Sequence, residues 1–258
     1  MKAPRPSPMD RLKEARAELK QAELDLMRVL KKERTRKRAP IVRLLHETRR
    51  MMAPDYPYVS QAGQDHAVDR ALRGLSGGTF VDVGGYDGVT GSNTLFFEMR
   101  RGWTGVLVEP VAGQLEKAKI ARKCPCLPYA VAPQAGTAEF IEVTKGYTQM
   151  SGLADLYDET ILSQIRNDPR HEERTVKVET RTLSQILDEA DIANPDFISL
   201  DIEGGEAAVL DGFPFDKHAV KVWAIENNTA GPEIGNIMRK NGYDLAEFCG
   251  PDEIYIKL

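Results

Sequence analysis

The stretch Phe80-Val-Asp-Val-Gly-Gly-Tyr-Asp-Gly88 constrains this chain more than any other. An apolar, β-branched run ends in an acid and passes at once into a glycine-rich turn. Such a turn suits a backbone that must take positive φ and let a ligand approach without a Cβ in the way. From Thr79 onward, short apolar runs alternate with helical patterns, which is how a mostly parallel sheet is written. Strands are expected at 80–84, 104–110, 128–132, 138–143, 175–181, 197–203, 220–227, 244–248 and 253–258. Helices fall at 92–101, 112–122, 182–191, 204–211 and 231–241. Runs 138–143 and 175–181 read as an antiparallel pair, and the last two strands as a closing hairpin-like pair. The polar segment 144–174 reads as a loop or lid beside the sheet.

Ahead of this region the chain changes character. Residues 1–8 are proline-rich and expected to be disordered. From Asp10 to about Arg38 there is neither Gly nor Pro, and Leu12, Leu19 and Leu26 alternate with Ala15, Ala22 and Val29 in a heptad pattern. That pattern ends at Glu33 and Arg36, and Pro40 is expected to break the helix. Either this helix associates with a second copy or it packs on its own domain. The chain therefore divides into a basic, coiled-coil-like segment at 1–40 and a catalytic domain at 41–258, with a helical lead-in at 41–78.

Charge follows the same division. Residues 1–50 carry 16 Lys/Arg against 7 Asp/Glu, and the remainder 19 against 32, for a net charge of −4. An acidic catalytic region argues against a direct grip on a nucleic-acid backbone. The basic run 31–38 suits contact with an anionic surface, or is simply a solvated helix end. No apolar run reaches the length of a membrane span, and the first segment has no signal-peptide core, so the protein reads as cytoplasmic. Cys124, Cys126 and Cys249 lack the spacing of a zinc site and read as reduced thiols.

The glycine turn identifies a class of ligand. Methyltransferases that use S-adenosylmethionine carry [D/E]-x-G-x-G-x-G after their first strand. Asp82, Gly84 and Gly88 match, Gly85 is extra, and Tyr86 replaces the middle glycine. The dinucleotide fingerprint G-x-G-x-x-G is found in no reading frame. Glu109, closing the second strand beside Pro110, is placed to accept the hydroxyl protons of a ribose.

Five segments together carry a family resemblance: SQAGQD (60–65), TFVDVGGYDGVTGSNT (79–94), GWTGVLVEP (102–110), FISLDIEGGEAAVLDGF (197–213) and DEIYIKL (252–258). In these the sequence resembles the FkbM family of methyltransferases across roughly residues 59–258. The resemblance implies a Rossmann-like class I methyltransferase fold: a mostly parallel seven-stranded sheet with an antiparallel C-terminal strand pair. It also implies methyl transfer to hydroxyl oxygens, often of sugars, glycans or polyketide-type metabolites. Asp82, Gly84, Gly88 and Glu109 are then expected around the cofactor, with Gly85, Tyr86 and Pro110 in the same segments. Ser92 and Asn93 match the family's S-N-T and are expected at the methionine end; Ser92 is equally suited to a plain helix cap.

Methyl transfer from a sulfonium to an alcohol depends on positioning and on a place for the hydroxyl proton. Strand 197–203 delivers Asp201, with Glu203 and Glu206 beyond it, and strand 220–227 delivers Glu226 and Asn227. Catalytic roles are expected for Asp201, Glu203 and Glu226, with Asp201 also near the cofactor. Either a carboxylate acts directly as the base, or Asp201, Glu226 and Asn227 hold Mg²⁺, which lowers the acceptor's pKa. Glu206 reads as a helix-start charge. The expected partners are the acceptor, a small molecule or glycan, and possible further copies of this chain through the N-terminal helix. A nicotinamide-dependent oxidoreductase and a catalytically silent scaffold are the competing classes.

Overall fold

The computed structural model describes residues 6–258. The disorder expected for residues 1–8 therefore lies outside the described residues over 1–5. At the other end of that stretch, Ser7 caps helix α1 (Pro8–Lys32): its side chain accepts from Asp10 N, and Pro8 occupies the first turn, where its missing N–H costs nothing.

Helix α1 stops at Lys32, short of the expected Arg38, although neither Gly nor Pro intervenes. Glu33 draws the chain away from helical bonding, since its Oε1 accepts from Arg34 N, Thr35 N and Thr35 Oγ1. Arg38 then reaches back to the carbonyls of Leu30 and Glu33, filling acceptors that the helix end leaves open. Pro40 does not break a helix. It lies in the first turn of α2 (Arg38–Met52), where an N–H has no intrahelical partner to lose.

Helices α1 and α2 pack against one another, tied by an Arg49–Glu23 ion pair. The heptad seam is thereby split. Leu19 and Leu26 are half-buried, whereas Leu12 and Val29 stand in solvent.

The sheet that carries the site contains seven strands: β1 (Thr79–Val83), β2 (Thr104–Val108), β3 (Cys126–Leu127), β8 (Phe197–Leu200), β9 (Val222–Glu226), β10 (Tyr243–Cys249) and β11 (Asp252–Lys257). Their spatial order is β10-β11-β9-β8-β1-β2-β3. The five strands from β9 to β3 run parallel, and β11 pairs antiparallel with both β9 and β10. The fold is thus the Rossmann-like arrangement expected, with its reversed C-terminal pair. Strands β1, β8 and β9 are apolar and buried almost throughout, as parallel strands covered on both faces must be. Val81, Val83, Ile198, Leu200, Trp223 and Ile225 form the centre of one core layer. Phe80, Phe97, Trp103 and Phe197 form the centre of the other.

A second sheet, ordered β4-β7-β5-β6, rises beside the first. It contains β4 (Ala130–Val131), β5 (Gly136–Lys145), β6 (Gly152–Leu153) and β7 (Glu172–Arg181). The expected antiparallel pair is β5 with β7, in register from Thr137↔Glu179 through Phe140↔Val176. Two expectations are corrected here. The strand expected at 128–132 contributes β4 to this second sheet, and the short β3 takes its place in the first. Segment 144–174 is not a bare loop, since it contains β6 and α6 (Glu159–Arg166), capped by the Asp158 carboxylate. Its apolar side chains are few but converge: Leu162 and Ile165 pack on Ile141, Val143 and Tyr157.

The ends of β1 and β8 meet with no side chain between them. Gly84 has φ +76°, and a Cβ built there would lie 1.7 Å from the Asp201 carbonyl oxygen. Gly84→Ala is expected to cost about 3 kcal/mol or more of folding free energy, through overlap and a strained φ together. Urea denaturation followed by circular dichroism measures it, and a stability equal to wild type would show that the two strand ends are free to part.

Candidate active site

Beyond the carboxyl ends of β1, β2, β8 and β9 lies a cavity of about 320 Å³. Open α/β sheets place ligands at this edge because the loops there diverge to either face. Seven carboxylate residues line it: Asp82, Asp87, Glu109, Asp201, Glu203, Glu226 and Asp252. Among the described residues, no Lys or Arg does. Tyr129, Phe140 and residues 148–151 of the second sheet's connections complete the wall.

The turn after β1 is held by the neighbouring strand, with Gly84 N and Gly85 N both donating to Val108 O. Tyr86, which stands where the motif has its middle glycine, takes φ +49° without one. Its N–H donates to Glu109 Oε2 at 2.9 Å, and its phenol hydrogen-bonds Thr148 Oγ1 at 2.6 Å. These two bonds hold a strained residue in place and tie the turn to the second-sheet segment. The other Glu109 oxygen accepts from Val111 N at 2.8 Å. Burial pushes the Glu109 carboxyl up to about 8, against the pull of those two backbone donors.

Asp82 lines the cavity but is also structural. Its Oδ2 accepts from Thr94 Oγ1 at 2.5 Å and faces Arg122 at 3.3 Å. The Arg122 side chain is fully enclosed, bonds Glu98 and the Gly88 carbonyl, and lies over the Phe80 ring. Nothing in the sequence singled out Arg122, which reads as an ordinary basic residue at a helix end. Ser92 lies two residues ahead of Thr94, the N-cap of α4 (Leu95–Arg101), and its Oγ accepts from Leu95 N at 3.1 Å. Asn93 turns inward and donates to Ser199 Oγ and Asp252 Oδ2, while its Oδ1 is buried without a hydrogen-bond partner. Pro110 also lines the cavity.

Asp201, Glu203 and Glu226 come together, one oxygen from each lying within 4.8 Å of the others. Glu203 gets there through a left-handed backbone, φ +60°, followed by Gly204 at φ +125° pressed against Leu156 O. Burial, then the neighbouring acids, pushes Asp201 up to about 7 and raises Glu203 and Glu226 well above the usual carboxylate range. Glu206 stays out of the cluster and accepts from Ile202 N and Gly204 N, which is the helix-start role expected of it.

Asn227 does not join them, a correction to the expected Asp201–Glu226–Asn227 set. Successive side chains on a strand point to opposite faces, so Glu226 facing the cavity sends Asn227 away from it. The Asn227 amide donates instead to Gly231 O and Glu253 Oε1, both at 3.0 Å. The cavity gains an acid that went unassigned in the sequence. Asp252 opens β11 directly opposite Glu226, and burial beside Asp201 pushes it up to about 7. Its only sequence signal is an acid at the start of a strand that pairs with β9.

Comparison with known proteins adds a family to this geometry. Residues 82–245 match the Methyltransferase FkbM domain. Comparison with curated proteins gives no match. Among solved structures, an FkbM methyltransferase from Methylobacillus flagellatus is similar at 14% identity and TM-score 0.45, over 92% of this chain and 58% of that one. This chain thus spans less than two thirds of that protein. A TehB-like SAM-dependent methyltransferase from Corynebacterium glutamicum aligns at 10% identity and TM-score 0.41, over 82% and 95%. A SAM-dependent methyltransferase from Thiobacillus denitrificans, in complex with S-adenosyl-L-homocysteine, aligns at 11% identity and TM-score 0.38, over 76% and 69%.

Removing Arg122 strands two buried carboxylates. Arg122→Met is expected to cost about 3–5 kcal/mol, because Asp82 and Glu98 lose their counter-charge without regaining water. The exposed Arg43–Glu47 pair supplies the contrast, and Arg43→Met is expected to leave the urea midpoint within error. Equal effects of the two substitutions would contradict the buried network.

Proposed function

Because the chain belongs to the FkbM methyltransferase domain family, we propose that it is an S-adenosylmethionine-dependent O-methyltransferase acting on a hydroxyl of a sugar, glycan or related metabolite. The observation that carries this reading is a cavity at the carboxyl edge of the sheet lined by seven acids and, among the described residues, by no Lys or Arg.

The residues present fit the cofactor on three counts. Glu109 spends one acceptor position per oxygen on backbone N–H groups, and a carboxylate has about four, so ribose hydroxyls find acceptors there. The orphaned Asn93 Oδ1 suits the methionine ammonium. Acidic walls suit a ligand whose sulfur is positively charged. The volume also lies in the range of about 300–1,000 Å³ usual for small-molecule pockets.

When bound, S-adenosylmethionine supplies a methyl group on a sulfonium, and the acceptor hydroxyl gives up its proton as the methyl is transferred. The chain's task is to hold the acceptor oxygen in line and to receive that proton. Asp201 is our choice for the proton, since it stands at the end of β8 between the glycine turn and Glu226. Mg²⁺ held by the acids around Asp201 is the alternative route for the proton, and both routes begin at that residue. An acceptor carrying its own phosphate or carboxylate near the reacting oxygen would be repelled by these walls. Neutral hydroxyls, as in sugars, would not.

Asp201→Asn is expected to lower methyl transfer at least about 100-fold, the scale of a lost general base, while changing S-adenosylhomocysteine affinity less than threefold. Radiolabelled transfer and calorimetry measure the two quantities, and full activity would remove Asp201 from the mechanism. Screening should include hydroxylated sugars beside amines, because turnover of amines alone would overturn the O-methyl assignment. Calorimetry with NAD in place of S-adenosylhomocysteine tests the oxidoreductase class, which requires NAD to bind.

Glu109 generates a pH dependence. Its carboxyl titrates near 8, and ribose hydroxyls bond best to the ionised form. Affinity for S-adenosylhomocysteine is therefore expected to rise from pH 6 to about 8 and then level off. Glu109→Gln should bind more weakly and lose the part of the rise above about pH 7, since Asp201 and Asp252, raised to about 7, still ionise.

A further inference from the structure

Buried acids in this protein are, with few exceptions, neutralised by an identifiable partner. Asp82 and Glu98 share Arg122, Asp69 pairs with Arg101, and Asp196 pairs with Lys221. Glu253 pairs with Arg36. Asp65, Glu109 and Glu206 accept backbone N–H bonds. No ion pair reaches Asp201, Glu203 or Glu226 among the described residues, and Glu203 has only the Asn228 amide at 3.3 Å.

Glu226 goes further. It is 7% exposed, and its Oε2 is fully enclosed with no hydrogen-bond partner, alone in this among the buried acids described. The side chain lines the cavity and converges with Asp201 and Glu203, so a buried acid with an unsatisfied oxygen belongs to the cluster itself.

We propose that Asp201, Glu203 and Glu226 form a binding site for a hard divalent cation of the Mg²⁺ or Mn²⁺ type. This deepens the reading above and rests on the same cavity. The ligand set differs from the one expected in the sequence, because Glu203 takes the place of Asn227. Three carboxylate oxygens suit such a cation in chemistry. Oxygens on opposite sides of one Mg²⁺ are about 4.2 Å apart, so the three carboxylates would draw in slightly on an ion of that size. The oxygens here lie within 4.8 Å of one another.

Charge supports the same assignment. S-adenosylmethionine carries a net charge of about +1, counting its sulfonium, ammonium and carboxylate, and of the seven acids around the cavity only Asp82 has an ion pair among the described residues, with Arg122. A divalent ion beside it reduces the remaining imbalance at the point where three acids converge. Three protein ligands leave further positions for water or acceptor oxygens.

The test uses the full chain, stripped with EDTA and titrated with MnCl₂, with free Mn²⁺ followed by electron paramagnetic resonance. One site is expected, weakened at least tenfold in Glu203→Gln and in Glu226→Gln. Asp87→Asn, which removes a carboxylate from the mouth of the same cavity, should leave Mn²⁺ binding unchanged. Independently of any variant, Mn²⁺ should raise the wild-type melting temperature, and EDTA should reverse the rise. Absence of a single site in wild type, or variants that bind within twofold of it, would overturn the proposal. An Asp87→Asn variant that loses as much affinity would also overturn it, as a bulk charge effect. Calorimetry with S-adenosylhomocysteine on the same preparation separates the two readings. Nucleoside binding without Mn²⁺ binding defeats the cation site alone, and Mn²⁺ binding without nucleoside binding defeats the cofactor assignment alone.

Discussion

The close approach of Gly84 to the Asp201 carbonyl is the contact on which the site depends. It joins the turn after β1 to the acidic end of β8 at a distance that no side chain fits. The turn's remaining geometry follows from this. Gly84 and Gly85 hang from Val108 O, Tyr86 is drawn onto Glu109, and the carboxyl ends of β1, β2 and β8 are held beside one another. A larger residue at Gly84 would separate the glycine turn from the carboxylate cluster, so one backbone contact sets the distance between these two parts of the cavity wall.

Around that contact the buried acids divide into two groups with different energetics. Asp82 and Glu98 are paid for by Arg122, whose guanidinium bonds both carboxylates, the Gly88 carbonyl and the Thr94 hydroxyl. That network fixes the turn from behind and is finished in the protein itself. Asp201, Glu203, Glu226 and Asp252 are the opposite case. Their carboxyls are raised by burial and by one another, and none of them forms an ion pair among the described residues. Like charges gathered in a desolvated space oppose folding. Such an arrangement is understandable where a cationic ligand supplies the missing charge.

The sequence displayed one group and hid the other. Asp82, Glu109, Asp201 and Glu226 each close an apolar strand, so period-two burial and the parallel topology together put them at one edge. The strand pattern and the reversed C-terminal pair were legible for the same reason, since buried parallel strands are written as unbroken apolar runs. Arg122 was invisible because its partners lie 24 and 40 residues away, and nothing local distinguishes it from a solvated helix end. Asp252 was missed because its importance comes from the antiparallel register that sets it opposite Glu226. Asn227 adjoins Glu226 in sequence, but alternation turns it away from the cavity, onto Gly231 O and Glu253. Pro40 misled in another way: proline stops a helix that is under way but is tolerated in the first turn of a new one.

The N-terminal extension takes part in the same architecture from outside the cavity. Arg36, in the link between α1 and α2, reaches Glu253 Oε1 at 2.5 Å and the carbonyls of Asn227 and Pro251. Those carbonyls flank the two residues that β9 and β11 present to the cavity, Glu226 and Asp252. The guanidinium therefore clamps the outer side of the strand pair whose inner side is acidic. Glu253, beside Asp252 in the chain but on the opposite face, forms the ion pair with Arg36, which acts on Asp252 only from a distance. Strand alternation thus sorts adjacent acids into one with a fixed counter-ion and one without. The basic link holds the acidic strand ends in place without discharging the cavity.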